Sequence, residues 1–548
     1  MSAASLLLTG TLLLPLAMAA GCLSARFRAR APSLLVLAPV PAMLAAWLLP
    51  DGASISFPAP LRMTLTLDTP GAILLGGAAL LWSAAGAFAA SYMRDEPGTS
   101  RFAVWWLLTL TGSLGVFLVA DVMSFYLLFA IASIPAYGLI AHERTTGARR
   151  AAGVYVTLAL LGEALLLLAF VMLAAGSPEA NPAIRDAAAL LPVSPMRDWI
   201  VALLILGFAL KMGLAPLHVW LPLAHPAAPM PASAVLSGVV VKAGVIGLIR
   251  FLPLGTALPI WGGVLVTAGI LTAYYGAAIG LTQPRPKTVL AYSTVSQMGL
   301  VAAIIGAGLI TGDATAPVLA AYYGLHHTLV KGALFLAVGV ALATRGPRLR
   351  FVMLLTGLLA LSLAGLPMTS GALAKLAVKP MLGSGALGAA VSLAAAGSTA
   401  LMLHFLAVMT RTTRQAPAEG APPVTAPAGE IVPWLAVATA SFVIPWSLYP
   451  ALSGGSAASA WEFGSLWKLL WPMLLGAATF LALRWTGVLS RTVPEGDIIV
   501  LAERQSPRLR RLGAAVARAD AGLTRWPAAG LLLVGLVLLL GATFLLQP

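Results

Sequence analysis

Residues 211–250 read KMGLAPLHVWLPLAHPAAPMPASAVLSGVVVKAGVIGLIR. Lys211 sits deep in one apolar helix, and Pro216 and Pro222 break that helix. His218 and His225 fall in the polar interruption, and Lys242 lies midway along the next apolar run. A lysine at the middle of a bilayer costs about 2.5–3.5 kcal/mol on insertion scales, so one is seldom kept there without a function. Broken helices at membrane depth are tolerated only where protein or a water-filled cavity satisfies the freed backbone groups. The stretch reads as part of a charge-carrying path through a membrane protein.

Composition agrees. The chain has 548 residues, 60% hydrophobic and 9% charged, which excludes an ordinary soluble protein and a disordered one. The single cysteine, Cys22, rules out an intrachain disulfide framework and argues against a cysteine-held metal cluster. A net charge of +15 invites a nucleic-acid reading. Its basic residues, however, lie in short clusters between apolar runs, without a long basic face interleaved with aromatics, so no nucleic-acid partner is expected. A haem pattern, a P-loop and a dinucleotide fingerprint are absent from the sequence, so no cofactor, metal or catalytic redox site is expected in this chain.

At about 20 apolar residues per span, the pattern predicts an all-α integral membrane protein of about 14–16 transmembrane helices. Sixteen spans are expected at 4–22, 32–50, 70–91, 102–120, 122–141, 151–175, 198–215 and 230–252, then 257–281, 288–310, 316–343, 351–378, 383–409, 431–452, 465–487 and 526–547. The first has no basic residue before its apolar core, and Arg26, Arg28 and Arg30 follow it, which fits a retained span rather than a signal peptide. With the N-terminus outside, the odd-numbered connections hold most arginines (Arg94, Arg101, Arg144, Arg149, Arg150, Arg285, Arg345, Arg348, Arg350, Arg411, Arg414). The even ones hold Arg62, Arg185, Arg197 and Arg250. This bias predicts a multi-pass protein of a bacterial-type cytoplasmic (inner) membrane. Trp105, Trp106 and Trp471 are expected as interfacial anchors. Residues 415–430 read as a Pro/Ala-rich loop, and 488–525 as an amphipathic cytoplasmic helix or a basic linker drawn to lipid headgroups.

The interrupted helix around Lys211 has an echo around Lys331 and GLPMTSG at 365–371. Interrupted segments in two halves point to inverted repeats with polar sites near the midplane. Two five-helix repeats are therefore expected at 102–252 and 257–409, between N-terminal helices at 1–101 and C-terminal helices at 431–548.

Four motifs run in order over most of residues 100–410: the stretch from Lys211 to Lys242, LAYSTVSQMGL at 290–300, HHTLVKGALFLAVG at 326–339 and GLPMTSGALAK at 365–375. In them the chain resembles the antiporter-type subunit family shared by respiratory complex I, group 4 membrane-bound hydrogenases and Mrp cation/proton antiporters. The resemblance implies fourteen core helices with two inverted repeats, and translocation of protons, in some members sodium, along a central axis of buried charges. It also implies partner membrane subunits, and a role as the pumping subunit of an NADH dehydrogenase-like or hydrogenase-like oxidoreductase, or of an antiporter. Carried over by motif, Lys211 is the proton-holding centre of the first half-channel and Lys242 links the halves. His327 and Lys331 continue the axis, and Lys375 exchanges protons with the second side. The chemistry suits this use: a lysine among apolar helices can be neutral or charged, and neighbouring charges decide which. His327 and Lys331 are four apart and share a helical face, as do Lys375 and Lys379. His218, His225, His326 and His404 are further candidates, with helix capping or interhelical hydrogen bonding as their structural alternative.

Three departures stand out. The family's helix-five glutamate, partner of the helix-seven lysine, aligns with Ala130. Arg285 replaces the family's acid before helix ten, and Leu223 replaces a common aspartate. Glu163, in LLGEALLLL of helix six, is the acid well inside a span of the first half and the candidate replacement partner of Lys211. Two other readings follow from the same motifs: the membrane component of a zinc-dependent inorganic-carbon uptake complex, and a scaffold that no longer pumps.

Overall fold

The computed structural model describes residues 2–58, 62–179, 181–383, 385–414, 425–490 and 492–500, with 511, 513–515, 517, 518 and 521. Residues Met1–Glu495 form one compact unit and Gly496–Pro548 a second. In the second unit the described part opens with a helical turn at 497–500. The expected last span (526–547) and most of the amphipathic segment 488–525 lie outside the described residues.

The protein is a predominantly helical, multi-pass membrane protein, and among the described residues thirteen helices are long and apolar enough to cross a bilayer. The shorter Thr99–Gly115 and the broken helix at Arg197–Met212 and Trp220–Ala227 bring the spans to fifteen. Numbered by crossing, the first six spans are Ala3–Gly21, Ala25–Leu48, Thr69–Tyr92, Thr99–Gly115, Val122–Ile140 and Thr146–Ala175. The seventh is broken into Arg197–Met212 and Trp220–Ala227, and the eighth is Met230–Phe251. The ninth, tenth and eleventh are Pro259–Gly280, Pro286–Thr311 and Ala316–Leu342. The twelfth is broken into Pro347–Ala364 and Ser370–Leu382. The last three described are Ala386–Arg414, Ala428–Ser453 and Phe463–Trp485. The helix at Ala428 begins inside the segment expected as loop, whose described end is held by Arg348 donating to Thr425 at 2.7 Å.

The eighth, tenth and eleventh spans are buried along nearly their whole length, whereas the first, second, sixth, fourteenth and fifteenth keep about two-thirds of their residues at the periphery. The core therefore sits where the lysine-bearing motifs are. The ninth and tenth spans pack at backbone distance: a methyl added at Gly269 would lie 2.5 Å from Gly299 O, and one at Gly306 2.8 Å from Gly262 O. Small residues permit this approach, which is how membrane helices gain contact without a hydrophobic driving force.

Polar contacts sort the connections into two faces. On one, Arg250 (end of the eighth span) meets Asp68 (start of the third) at 2.7 Å, Asn181 donates to Asp121 at 3.0 Å, and Trp261 donates to Asp198 at 2.9 Å. On the other, Arg285 meets Glu495 at 3.4 Å, and Lys287 donates to Ala228 O at 2.5 Å. Even connections touch even ones, and odd touch odd, as alternate crossings require. A feature not anticipated is a hairpin on the Arg250 face: β1 (Ala53–Ser56) pairs antiparallel with β2 (Thr64–Leu67), which also bridges Val119. Asp121 anchors it by accepting from Thr64 N at 3.0 Å.

Trp106 is not an interfacial anchor. It is fully buried, edge-on to Trp82 with ring centroids 4.6 Å apart. Its neighbour Trp105 is half-buried against Gly138.

Candidate functional site

The break in the seventh span is made by glycine rather than by the prolines. Met212 ends the helix, and Gly213 follows in the left-handed region (φ +76°), where its N–H and that of Leu214 both return to Ala209 O. Such a glycine-closed end needs no Cβ penalty to be overcome. Pro216 lies in the loop beyond, and Pro222 sits inside the helix that restarts at Trp220. The twelfth span ends the same way: Gly365 has φ +97°, and Leu366 N returns to Leu361 O at 2.9 Å.

At the first break the structure brings Lys211, Ser133 and Glu163 together. Lys211 Nζ donates to Ser133 Oγ at 2.7 Å and lies over the rings of Phe129 (5.2 Å) and Tyr155 (5.9 Å). Glu163 interacts electrostatically with Lys211, and the Ser133 hydroxyl is also within its hydrogen-bonding reach. Glu163 is 4% exposed, and its Oε1 has no hydrogen-bond partner. A cavity of about 10 Å³ beside Lys211, bounded by Ser133, Tyr155 and Trp220, has room for about one water. Ser133 stands three residues, nearly one helical turn, after Ala130. Its hydroxyl could have been found by looking one turn along the same face for a polar substitute.

The second group centres on Lys242. Immediately before it, Leu236–Val240 form a π-helical turn, a distortion that recurs at functional sites. The wide turn frees carbonyls. Lys242 Nζ donates to Ser237 O at 3.3 Å and Thr328 Oγ1 donates to Gly238 O at 2.8 Å. Lys242 Nζ also meets His327 Nδ1 at 2.5 Å. If the lysine donates, Nε2 carries the imidazole's proton, and Nε2 is buried without a partner, so a proton held there has no competing bond.

Lys331 does not bond to His327 one turn before it. Its ammonium donates instead to Leu290 O and, at 2.7 Å, to Ser293 Oγ, both in the tenth span, and lies 5.2 Å from the Phe335 ring centroid. His225 packs on the same ring at 4.9 Å, fully buried, with neither nitrogen hydrogen-bonded. It interacts electrostatically with both Lys331 and Lys287. His218 is buried beside Tyr275 and Tyr292, 4.9 and 6.1 Å between ring centroids.

At the second break, Lys375 donates to Ala364 O, the last carbonyl of the helix before it. His326 Nδ1 lies 3.1 Å from Ser370 Oγ, which lies 3.3 Å from Ser362 Oγ. Lys379, one turn after Lys375, is exposed, and both line one cavity. His404 stands apart: its Nε2 meets Gln283 O at 2.9 Å near the opposite face, an interhelical tie. No cluster of three metal-ligating side chains occurs among the described residues.

The model of the family described as NADH:quinone oxidoreductase/Mrp antiporter, transmembrane, matches residues 119–403, just over half of the chain. The chain belongs to this family. It is 31% identical over 294 residues to hydrogenase-4 component B of Escherichia coli K12, covering 51% of this chain and 44% of that protein. It is 30% identical over 303 residues to a component of a probable K(+)/H(+) antiporter of Rhizobium meliloti, covering 53% of this chain and 30% of that one. The chain thus spans less than half the length of these curated relatives. Its fold is similar to a chain of the Mrp complex from Dietzia sp. DQ12-45-1b, with a TM-score of 0.74 at 23% identity, covering 99% of this chain and 63% of that one. It is also similar to a chain of an archaeal membrane-bound sulfane sulfur reductase, with a TM-score of 0.67 at 21% identity, covering 84% and 98%. All six principal candidates, Glu163, Lys211, Lys242, His327, Lys331 and Lys375, fall within the matched region.

Proposed function

We propose that this chain is a proton-translocating membrane subunit that works inside a larger complex, driven either by a redox partner or by antiport. The observation that carries the reading is the 2.5 Å contact of Lys242 with His327 in the middle of the most deeply buried helices. Two nitrogen bases cannot both hold a proton across such a contact, so the pair carries one proton between two sites. Each added charge then shifts its neighbours, and protons advance by steps. The path runs from Glu163 and Lys211, through Lys242, to His327, Lys331 and Lys375. Lys287 and His225 supply an approach to Lys331 from the arginine-rich face, which by the positive-inside bias is the cytoplasmic one, with the N-terminus outside. The two five-helix repeats at 102–252 and 257–409 then each contribute one glycine-closed broken helix to the path.

Glu163 takes the place of the missing helix-five acid in this reading, from the neighbouring helix. The scaffold reading is disfavoured by the contacts that Lys211 keeps and by the unpartnered Glu163 Oε1, since a purely structural carboxyl would be expected to be satisfied. The test is proton pumping by the purified assembly in liposomes. Glu163→Gln and Lys211→Ala should each lower the rate by an order of magnitude or more while the assembly survives. Unchanged pumping in both would sink the first half-channel, and unchanged pumping in Lys242→Ala as well would sink the whole reading.

A further inference from the structure

A cavity of about 70 Å³ lies beside Lys375. It has room for several waters. Its lining runs from exposed Lys379 and Lys468 inward past Ser392 and Tyr323 to half-buried Lys375. Lys468 lies in the second turn of the fifteenth span and Lys379 in the last turn of the twelfth, so the mouth lies toward the Arg250 face. The two ammonium groups are near enough to repel one another. Among the described residues no carboxylate lines the space, and the rest of the wall is largely aliphatic. Two side-chain oxygens line it among the described residues, both neutral hydroxyls with their protons committed: Ser392 Oγ donates to Gly388 O at 2.8 Å, and Tyr323 OH donates to Gln297 Oε1 at 2.7 Å.

We infer that this cavity is a cation-excluding vestibule, in which Lys379 and Lys468 keep sodium and potassium ions away from Lys375 while water and protons pass. The inference rests on the reading of Lys375 as an exchange point, and it narrows the transported species to the proton. A metal cation entering here meets the ammonium groups of Lys379 and Lys468 and, among the described lining residues, no anionic oxygen with which to replace its hydration shell. The repulsion acts on an excess proton as well, so the discrimination comes from dehydration: a metal ion finds no anionic oxygen to replace its shell, whereas a proton is relayed along waters onto the Lys375 amine. Charged walls in a low-dielectric cleft change local ion concentration by factors of roughly 10 to 1,000.

Thiol labelling tests the vestibule without requiring transport. Cys22 is the single cysteine of this chain, so Cys22→Ala leaves the full-length chain thiol-free, and labelling within the membrane assembly is read on this chain after its separation from the partner subunits. Ser392→Cys, with Val391→Cys as a second reporter, would be exposed to an anionic sulfonatoethyl and to a cationic trimethylammonioethyl methanethiosulfonate. Rates are normalised to a free thiol. The anionic reagent should react roughly tenfold faster. Lys379→Gln with Lys468→Gln should bring the ratio to about one. Equal rates before that change, a faster cationic reagent, no ratio change in the double variant, or no labelling at either reporter would each overturn the proposal. Pumping that is absent while the labelling ratio holds would instead count against the transport reading, so the two failures are separable.

Discussion

Ser133 shows how little chemistry a buried ammonium needs. A single hydroxyl at 2.7 Å and two aromatic faces hold Lys211, with Glu163 across the same serine. A hydrogen bond to a charged group is worth about 1.5–3 kcal/mol, and leaving such a group unsatisfied costs more than that. Ser133→Ala should therefore lower proton flux by one to two orders of magnitude, as read by a pH-sensitive dye in liposomes, and Ser133→Thr should restore most of it. Of the residues that make these contacts, the lysines and Glu163 were legible in the sequence because charge is conspicuous in an apolar run. Ser133, Ser293 and Ser237 were not, since serine is common in membrane helices and its partner is set only when helices from distant parts of the chain meet. Lys331 illustrates the same limit: spacing pairs it with His327, yet packing turns its ammonium toward the tenth span.

Among the elements, the two broken helices share one device. Gly213 and Gly365 each close a helix in the left-handed region, and each is followed by leucine and, within three residues, proline. The prolines draw the eye in the sequence. The glycines decide where the helix ends, because positive φ costs an L-residue about 1–2 kcal/mol. Gly365→Ala should destabilise the assembly by about that amount. The added methyl would also fall 2.6 Å from Lys375 Nζ, so pumping should drop further than the loss of folded protein accounts for. Comparing flux per folded complex, quantified by gel filtration, checks this. The π-helical turn before Lys242 had no sequence signal, since LSGVV is an ordinary apolar pentapeptide. Span positions were legible because apolar length is nearly all that a bilayer demands. The hairpin at 53–67 was not, for its two strands are four residues each.

For the whole molecule, the two faces are stitched differently. On one, the Arg250 guanidinium donates to Asp68 and to the carbonyls of Val116, Phe117 and Val119, at 2.7–3.2 Å, holding the end of the fourth span to the third and the eighth. Asp68 is 43% exposed, which tempers the pair's worth. Arg250→Ala should still cost about 2–3 kcal/mol, visible as a lowered Tm of the detergent-solubilised complex. On the other face, His142 lies in the connection between the fifth and sixth spans, 6% exposed. Burial, with Arg101 and Arg144 nearby, pushes its pKa down from 6.5 to about 4. Its folded value lies below its unfolded one, so the stability it contributes is present above pH 6.5 and is lost as pH falls toward 4. His142→Gln should flatten the dependence of Tm on pH across that window.

The glycine-closed breaks carry one more consequence. A helix that stops inside the membrane leaves the negative end of its dipole there, equivalent to roughly half an electron charge. Lys211 lies in the last turn of one such helix, and Lys375 reaches the final carbonyl of the other. Lys375 thus has a backbone carbonyl as its partner, and Lys211 sits in the field of a helix C-terminus, neither of which a change of pH can neutralise. A carboxylate partner can be lost to a proton, whereas these partners are permanent. That permanence offers a physical account of how the chain keeps its lysines in place with Ala130 where an acid is customary, and leaves Glu163 and the neighbouring bases as the groups whose charge can still be switched.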